Sequence, residues 1–329
     1  MTVNTKQNGI NGTEGVIYAL SPDNLTATVV YYEGDEESVT ISESYKGVPV
    51  VEIGHKAFYK KNIRSVKIPD SVVKIGEKAF SHCSMLSEIQ INCETIEMIA
   101  FLTCYSLKRV FIGKRVKSIG ANAFGDCPLI EAIEVDGENT EFKSENGCLL
   151  TKDGSLFIRY PSASLNAEYS LPTSVKRICP FSFNEAKALE RVTLDDALEV
   201  IDDGAFSNCS SLSEVNFGSN LSEMKSFAFS NCKSLKEIVF PDSLATVGGN
   251  SFAYCEGLKR VTIGSGVKKI MVHAFDFCDS LEEVYFKVKN LWKVRREVFG
   301  EKELSDPKTA AKYLTSTYTF AIWQRLGDD

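Results

Sequence analysis

No run of about 18 apolar residues occurs in the 329-residue chain, so no membrane-spanning helix is expected. Basic residues are in deficit: 37 Lys and Arg stand against 44 Asp and Glu, a formal net charge of -7. A nucleic-acid binder needs a basic stripe that displaces counterions, and this balance argues against one. The first residues, MTVNTKQNGINGTEG, are polar and lack the apolar core of a signal peptide. There are three histidines and two tryptophans, and the ten cysteines form no C-x-x-C pair. A zinc site is therefore not expected. What remains is 43% hydrophobic and 25% charged, the composition of a soluble globular protein. Length alone suggests about two domains.

An internal repeat replaces that estimate. Phenylalanines preceded by a small residue stand at Phe58, Phe80, Phe101, Phe124, Phe183, Phe206, Phe229, Phe252 and Phe275, and Phe299 after Val298 fits a tenth. Successive gaps are 22, 21, 23, 59, 23, 23, 23, 23 and 24. Three residues after Phe comes Cys in seven units: Cys83, Cys104, Cys127, Cys209, Cys232, Cys255 and Cys278. Leucine or isoleucine follows at the sixth position, with further apolar residues at the ninth and eleventh. The unit reads V-x-x-I-G-x-x-A-F-x-x-C-x-x-L-x-x-V-x-I-P/G.

The alternation in L-x-x-V-x-I predicts a short strand with one buried face, and V-x-x-I a second extended piece. Pro, Gly and Ser between them supply corners. One such unit cannot bury its apolar side alone; stacked on identical neighbours at ~4.8 Å it can. The expected product is one elongated domain on the order of 50 Å long at that spacing. The pattern A-F-x-x-C-x-x-L-x-x-V-x-I-P, in phase from about Val50 to Phe299, resembles the BspA-type leucine-rich repeat. The expected fold is a right-handed, β-rich leucine-rich-repeat-like solenoid with a β-hairpin insert and distinct caps.

Three regions follow: an N-terminal β-hairpin cap over 1–48, a solenoid over 49–299 and a helical cap over 300–329. The 59-residue gap holds 36 residues more than one unit, read as an enlarged coil at 136–171. Within it, Cys148-Leu149-Leu150 and Leu156-Phe157-Ile158 flank Asp153-Gly154, a hairpin signal. At the C-terminus, Ser305 or Asp306 before Pro307 predicts a helix start. Leu314, Tyr318, Ala321 and Ile322 share its inner face, and Gly327 would end it, making a lid over the last coil.

The seven in-phase cysteines predict a ladder of reduced, inward-facing thiols, since free cysteine behaves as a small hydrophobe. Only Cys148, on the hairpin, stands out as a reactive candidate. His55, His82 and His273 occupy different phases of distant coils, whereas catalysis needs groups converging in one cleft. Gly264-Ser265-Gly266 sits at the corner phase and reads as a turn rather than a phosphate loop. Asp195, Asp196, Asp202 and Asp203 read as a solvated acidic face, with a weak calcium site as the lesser alternative. Asn11, Asn24, Asn208 and Asn220 begin glycosylation sequons. No catalytic, cofactor-binding or metal-binding residue is assigned, and no cofactor is expected.

The outward face of the strands is the candidate binding surface. Its eighth position after Phe reads Glu88, Arg109, Ala132, Arg191, Glu214, Glu237, Arg260 and Glu283, a ladder in which opposite signs often adjoin. Its tenth is less polar and includes Phe111, Val239 and Tyr285. Exposed aromatics beside arginine are common interface anchors. Arg109, Phe111, Arg191, Val239, Arg260 and Tyr285 are therefore the candidate partner-binding residues. The expectation is a non-catalytic protein-binding module, with no nucleic-acid partner and no membrane insertion. The family resemblance implies a bacterial surface or secreted adhesion protein whose partner is a host or extracellular-matrix protein. The alternatives are an intracellular (cytoplasmic) scaffold, favoured by the free thiols and the polar N-terminus, and a carbohydrate-binding accessory module. The last would show clustered exposed aromatics, and the only tryptophans are Trp292 and Trp323.

Overall fold

The computed structural model describes residues 12–289 and 292–326. Asn11 and Gly327 lie outside the described residues. The chain forms two compact units that divide between Asp153 and Gly154.

The first unit opens with an antiparallel pair, β1 (Val16–Leu20) on β2 (Ala27–Tyr32), which is the expected hairpin cap. β2 continues in parallel register into the strand Val48–Ile53, then Lys74–Ile75, Thr95–Ile96 and Ser118–Ile119. These are the V-x-x-I pieces. The L-x-x-V-x-I pieces form a second parallel row: β3 (Glu88–Ile91), β4 (Arg109–Ile112) and β5 (Ala132–Val135). Residues of equal phase face one another, Arg109 between Glu88 and Ala132. The chain is thus a β solenoid, and the buried and exposed residues alternate as the repeat demands.

The phenylalanines explain the invariance of A-F. Phe58, Phe80, Phe101 and Phe124 are buried and stack ring on ring, with centroids 5.0, 5.2 and 5.3 Å apart. That spacing matches the separation of paired strands, so one ring per coil fills the core without gaps. The N–H groups of Phe58, Phe80 and Phe101 donate to the carbonyls of Ala79, Ala100 and Ala123 in the next coil. Each in-phase thiol also has a partner: Cys104 Sγ donates to Phe80 O at 3.2 Å and Cys127 Sγ to Phe101 O at 3.2 Å. The ladder of buried thiols, none of them in a disulfide, is as expected.

The insert also holds a hairpin that the sequence reading did not single out. The hairpin inside the first unit joins β6 (Phe142–Glu145) to β7 (Cys148–Thr151) through Asn146 and Gly147. Both turn residues have positive φ, 52° and 77°, which a two-residue hairpin turn of this hand requires. Buried Asn139 holds its base, accepting from the N–H groups of Glu141 and Phe142 and donating to the carbonyls of Gly113 and Val116. Cys148 is fully buried, so the reactive candidate becomes a core residue.

The second unit repeats the design. Leu156–Arg159, Arg177–Ile178, Val200–Ile201, Glu223–Met224, Thr246–Val247 and Lys269–Ile270 pair in parallel. The outer row consists of β8 (Glu168–Ser170), β9 (Arg191–Thr193) and β10 (Glu214–Asn216), then β11 (Glu237–Val239), β12 (Arg260–Ile263) and β13 (Glu283–Phe286). Phe157, from the insert, begins the ring column that runs through Phe183, Phe206, Phe229 and Phe252 to Phe275. The coil of Phe183 lacks the in-phase cysteine, and Ser182 Oγ takes over the carbonyl of Phe157 at 3.0 Å.

Phe299 does not join that column. It lies on β15 (Glu297–Phe299), antiparallel to β14 (Trp292–Val294), and stacks on Trp323. Asp306 caps α2 (Pro307–Lys312), which follows the single turn α1 (Glu301–Leu304). The helix widens over Tyr313–Thr317 and stops. The expected helical face to Ile322 is therefore cut short: Ala321 is buried, but Ile322 is exposed, and Trp323–Arg325 forms strand β16. β16 lies antiparallel between β14 and Lys269–Ile270. It thereby covers the last open edge of the row, which a helix could not pair with.

Candidate functional site

The six candidate residues fall on the outer strand row, and all are exposed. In the first unit, Arg109 and Phe111 alternate outward on β4, Phe111 between Gln90 and Glu134 of the flanking strands. Phe111 is 36% exposed and lines a recess of about 280 Å³ with Asn92, Lys114 and Asp136. In the second unit, Val239, Thr262 and Tyr285 align across β11, β12 and β13. Val239 is 50% and Tyr285 40% exposed. Arg191 stands in the other sheet, β8–β9–β10, apart from this cluster.

The arginines are not free. Arg109 approaches Glu88 at 3.5 Å, Arg191 binds Glu168, and Arg260 bridges Glu237 at 3.4 Å and Glu283 at 3.1 Å. The charge ladder is real, and each exposed pair contributes only ~0.2–1 kcal/mol. The hydrogen bond from Tyr285 to Glu283 raises the phenol pKa above its ordinary value.

Between β10 and β11 the row opens. A groove of about 690 Å³ is lined by Glu214, Asn216, Phe217, Glu237, Val239 and Asp242, among others. Asp242 is held down at about 2, first by Lys287 Nζ at 2.8 Å and then by the Ser265 N–H.

The acidic run 195–203 proves heterogeneous. Asp202 is buried, 3% exposed at its side chain, and is clamped by Arg177 Nε at 2.6 Å and Lys225 Nζ at 2.7 Å. Burial opposes its charge, but the bonds from Arg177 and Lys225 prevail and lower its pKa. It is an internal ion-pair centre, which corrects the reading of a solvated face. Among the described residues no three His, Cys, Asp or Glu side chains gather to hold a metal ion.

The histidines face separate partners: His55 Nδ1 lies 3.9 Å from Glu77, His82 Nδ1 faces Ser81 Oγ at 2.9 Å, and His273 Nδ1 faces Asp276 at 3.0 Å. Burial pushes the Cys83 and Cys255 thiols up to about 12, far from a nucleophile's range. Gly264-Ser265-Gly266 is a turn, as expected; a Cβ on Gly266 would stand 1.9 Å from Asp242 O. Trp292 and Trp323 are buried in the C-terminal cap rather than exposed.

The sequence reading missed a second set of exposed aromatics. Residues two before and two after each core Phe adopt positive φ, including Phe227 (58°), Tyr254 (61°) and Phe277 (55°). All three are about half exposed, and Tyr254 and Phe277 stack at 4.6 Å. Asn, Asp and Gly share these phases elsewhere, as at Asn208, Asp126 and Gly204, with Lys and His, as at Lys56 and His82. A bulky aromatic at phases otherwise held mostly by polar residues was the available signal.

These features define a repeat protein built as a β solenoid with a sheet-borne polar surface. The family model for the BspA type leucine rich repeat region matches residues 30–146 and 164–305 in six copies. The chain belongs to this family. Its fold is similar to that of the pneumococcal vaccine antigen PcpA, at 23% identity and TM-score 0.71 over 85% of this chain and 88% of that one. A leucine-rich-repeat protein from Eubacterium ventriosum aligns at 21% identity and TM-score 0.64, over 85% and 86%. A leucine rich cell surface protein from Faecalibacterium prausnitzii aligns at 25% identity and TM-score 0.53, over 85% and 96%. No curated protein matches the chain.

Proposed function

We propose that this chain is a non-catalytic protein-binding module of the bacterial surface, engaging a host or extracellular-matrix protein through its outer strand row. The observation that carries the reading is the cluster of Val239, Tyr285 and Arg260 on adjoining strands, with Phe111 and Arg109 as its counterpart in the first unit. Exposed apolar residues ringed by charge are the anatomy of a protein interface. The similarity to a cell surface protein from Faecalibacterium prausnitzii supports the location. The test is protease shaving of intact source cells, followed by capture of matrix proteins on the immobilised chain. Loss of the protein from intact cells, with capture weakened by Phe111→Ala or Tyr285→Ala, supports the reading.

One observation favours a second reading, an intracellular scaffold. None of the ten cysteines stands in a disulfide, which suits a reducing compartment. Survival of the protein in shaved cells, with loss only after lysis, decides for the scaffold.

A further inference from the structure

In the second unit, the residues two positions after each core Phe line up along the turns. Asn208, Asn231, Tyr254 and Phe277 follow one another in this column, with φ of 62°, 62°, 61° and 55°. Backbone bonds keep the coils in step. The Asn208 N–H donates to Ser230 O at 2.9 Å, the Asn231 N–H to Ala253 O at 2.8 Å and the Tyr254 N–H to Asp276 O at 2.8 Å.

The first half of the column is an amide ladder. Asn231 Nδ2 donates to Asn208 Oδ1 at 2.8 Å, and Asn208 Nδ2 donates to Asn184 Oδ1 at 3.0 Å. Each bond polarises the next, and the ladder ends at Asn231. The Oδ1 of Asn231 accepts no bond from a described residue and is open to solvent. The second half is apolar. Tyr254 and Phe277 are 47% and 50% exposed and stack at 4.6 Å with their planes 9° apart. Among the described residues no other ring meets either of them, so each keeps one face that no aromatic covers. Asn suits a left-handed backbone, whereas a bulky ring is disfavoured there and gains little burial in this position. Two rings held at a phase that asparagine fills in the preceding coils point to a ligand.

We infer that this column binds a neutral glycan, with sugar rings against the Tyr254–Phe277 pair and sugar hydroxyls on the Asn231 and Asn208 amides. The site shares no residue with the outer strand row, and the inference goes beyond the protein-binding reading above. A sugar has an apolar C–H side, which suits the electron-rich face of an aromatic ring. Its hydroxyls both donate and accept, and a carboxamide answers them with an acceptor and two donors in one plane. The local charge favours a neutral chain. Within two positions of Asn231, Tyr254 and Phe277 stand Lys233, Glu256, Asp276 and Asp279. Lys233 is held by Glu256 at 2.9 Å, Asp276 meets His273 at 3.0 Å, and Asp279 is exposed. Among these residues no cation is left for a sulfate, phosphate or uronate. A protein partner would need ~800 Å² on each side, and two half-exposed rings supply far less. From Asn208 to Phe277 the column covers three coil steps, ~14 Å at strand spacing, which is room for a short oligosaccharide.

The test is isothermal titration of the full chain with three neutral probes: cellohexaose, laminarihexaose and chitohexaose. Hexagalacturonate is the charged control, and decaproline is the control for a peptide that packs on aromatic rings. At least one neutral probe is expected to bind ~10-fold more tightly than either control, a factor equivalent to 1.4 kcal/mol. Tyr254→Asn and Phe277→Asn install the residue of the preceding coils at a φ that suits it. Both variants should therefore fold, with Tm unchanged or raised, and each should weaken the bound probe by ~10-fold or more. Asn231→Ala leaves both rings in place and should weaken the same probe through its hydroxyls. Binding of none of the three neutral probes overturns the inference. So does tighter binding of hexagalacturonate or decaproline, or full glycan binding by folded Tyr254→Asn and Phe277→Asn.

Discussion

Truncating one ring of the phenylalanine column measures how the solenoid is held together. Phe206 is fully buried, with Phe183 at 4.5 Å on one face and Phe229 at 4.9 Å on the other. Phe206→Ala removes the burial of one large side chain, ~2–3 kcal/mol, and leaves a cavity that adds about as much again. The parallel backbones above and below limit collapse into that space, so the loss should lie near the upper end of the ~3–5 kcal/mol range. In a unit of this size, that corresponds to a fall in Tm of roughly 10 °C or more. Urea unfolding followed by tryptophan fluorescence would report it through the buried Trp292 and Trp323 of the same unit. The cycle with Phe229→Ala adds a second number. The stacked pair should show a coupling of ~0.5–1.5 kcal/mol, because the contact between the two rings is already lost when the second is truncated. Tyr285→Ala is the control and should change stability by under ~0.5 kcal/mol. A loss below ~1.5 kcal/mol for Phe206→Ala, or a large loss for Tyr285→Ala, would refute the assignment of inward and outward phases.

Three further outcomes follow from individual sites. Asp202→Asn should destabilise by ~2 kcal/mol at neutral pH by removing the bonds of a buried carboxylate to Arg177 and Lys225. Because the folded state lowers this pKa, the stabilisation is present above the unfolded value near ~4 and fades as pH falls through the folded one. Denaturant titrations of both proteins should converge at low pH, and a constant gap would show that Asp202 carries no charge-linked stability. Gly204→Ala should lose ~1–2 kcal/mol, since φ is 61° and a Cβ would stand 2.4 Å from the Phe181 ring; thermal melts showing no loss would contradict that contact. An Ellman titration of the native protein near pH 8 should find almost no reactive thiol, because burial raises even Cys93 and Cys179 to about 11. Rapid reaction of several thiols before unfolding would mean that the ladder is open to solvent.

Much of this molecule is legible in the chain because it repeats. A side chain at one phase meets its own equivalent in the next coil, so the 23-residue period alone places Phe, Cys and the apolar strand residues inside. The same logic placed Arg109, Arg191 and Arg260 on the outer face and opposite their carboxylates. Within the insert, Asn146-Gly147 carried a turn signal as strong as that of Asp153-Gly154. The Asn146-Gly147 signal makes the hairpin of the first unit because the buried Asn139 fixes the base of that loop.

What the sequence by itself determined is therefore the repeat, the two strand rows and the identity of the core, all of them contacts between like positions. The tertiary structure alone decided the contacts that occur once. Asp202 looked like its solvated acidic neighbours until Arg177 and Lys225, one coil to either side, closed around it. The C-terminal helix was cut short because an open strand edge at Lys269–Ile270 needed a hydrogen-bonding partner, which Trp323–Arg325 supplies. The outer ladder stops between β10 and β11, where Phe217 and Phe240 stand tilted at 6.3 Å instead of stacking. Each of these turns on how neighbouring groups share a fixed coil spacing, and the pattern of a single repeat does not contain that information.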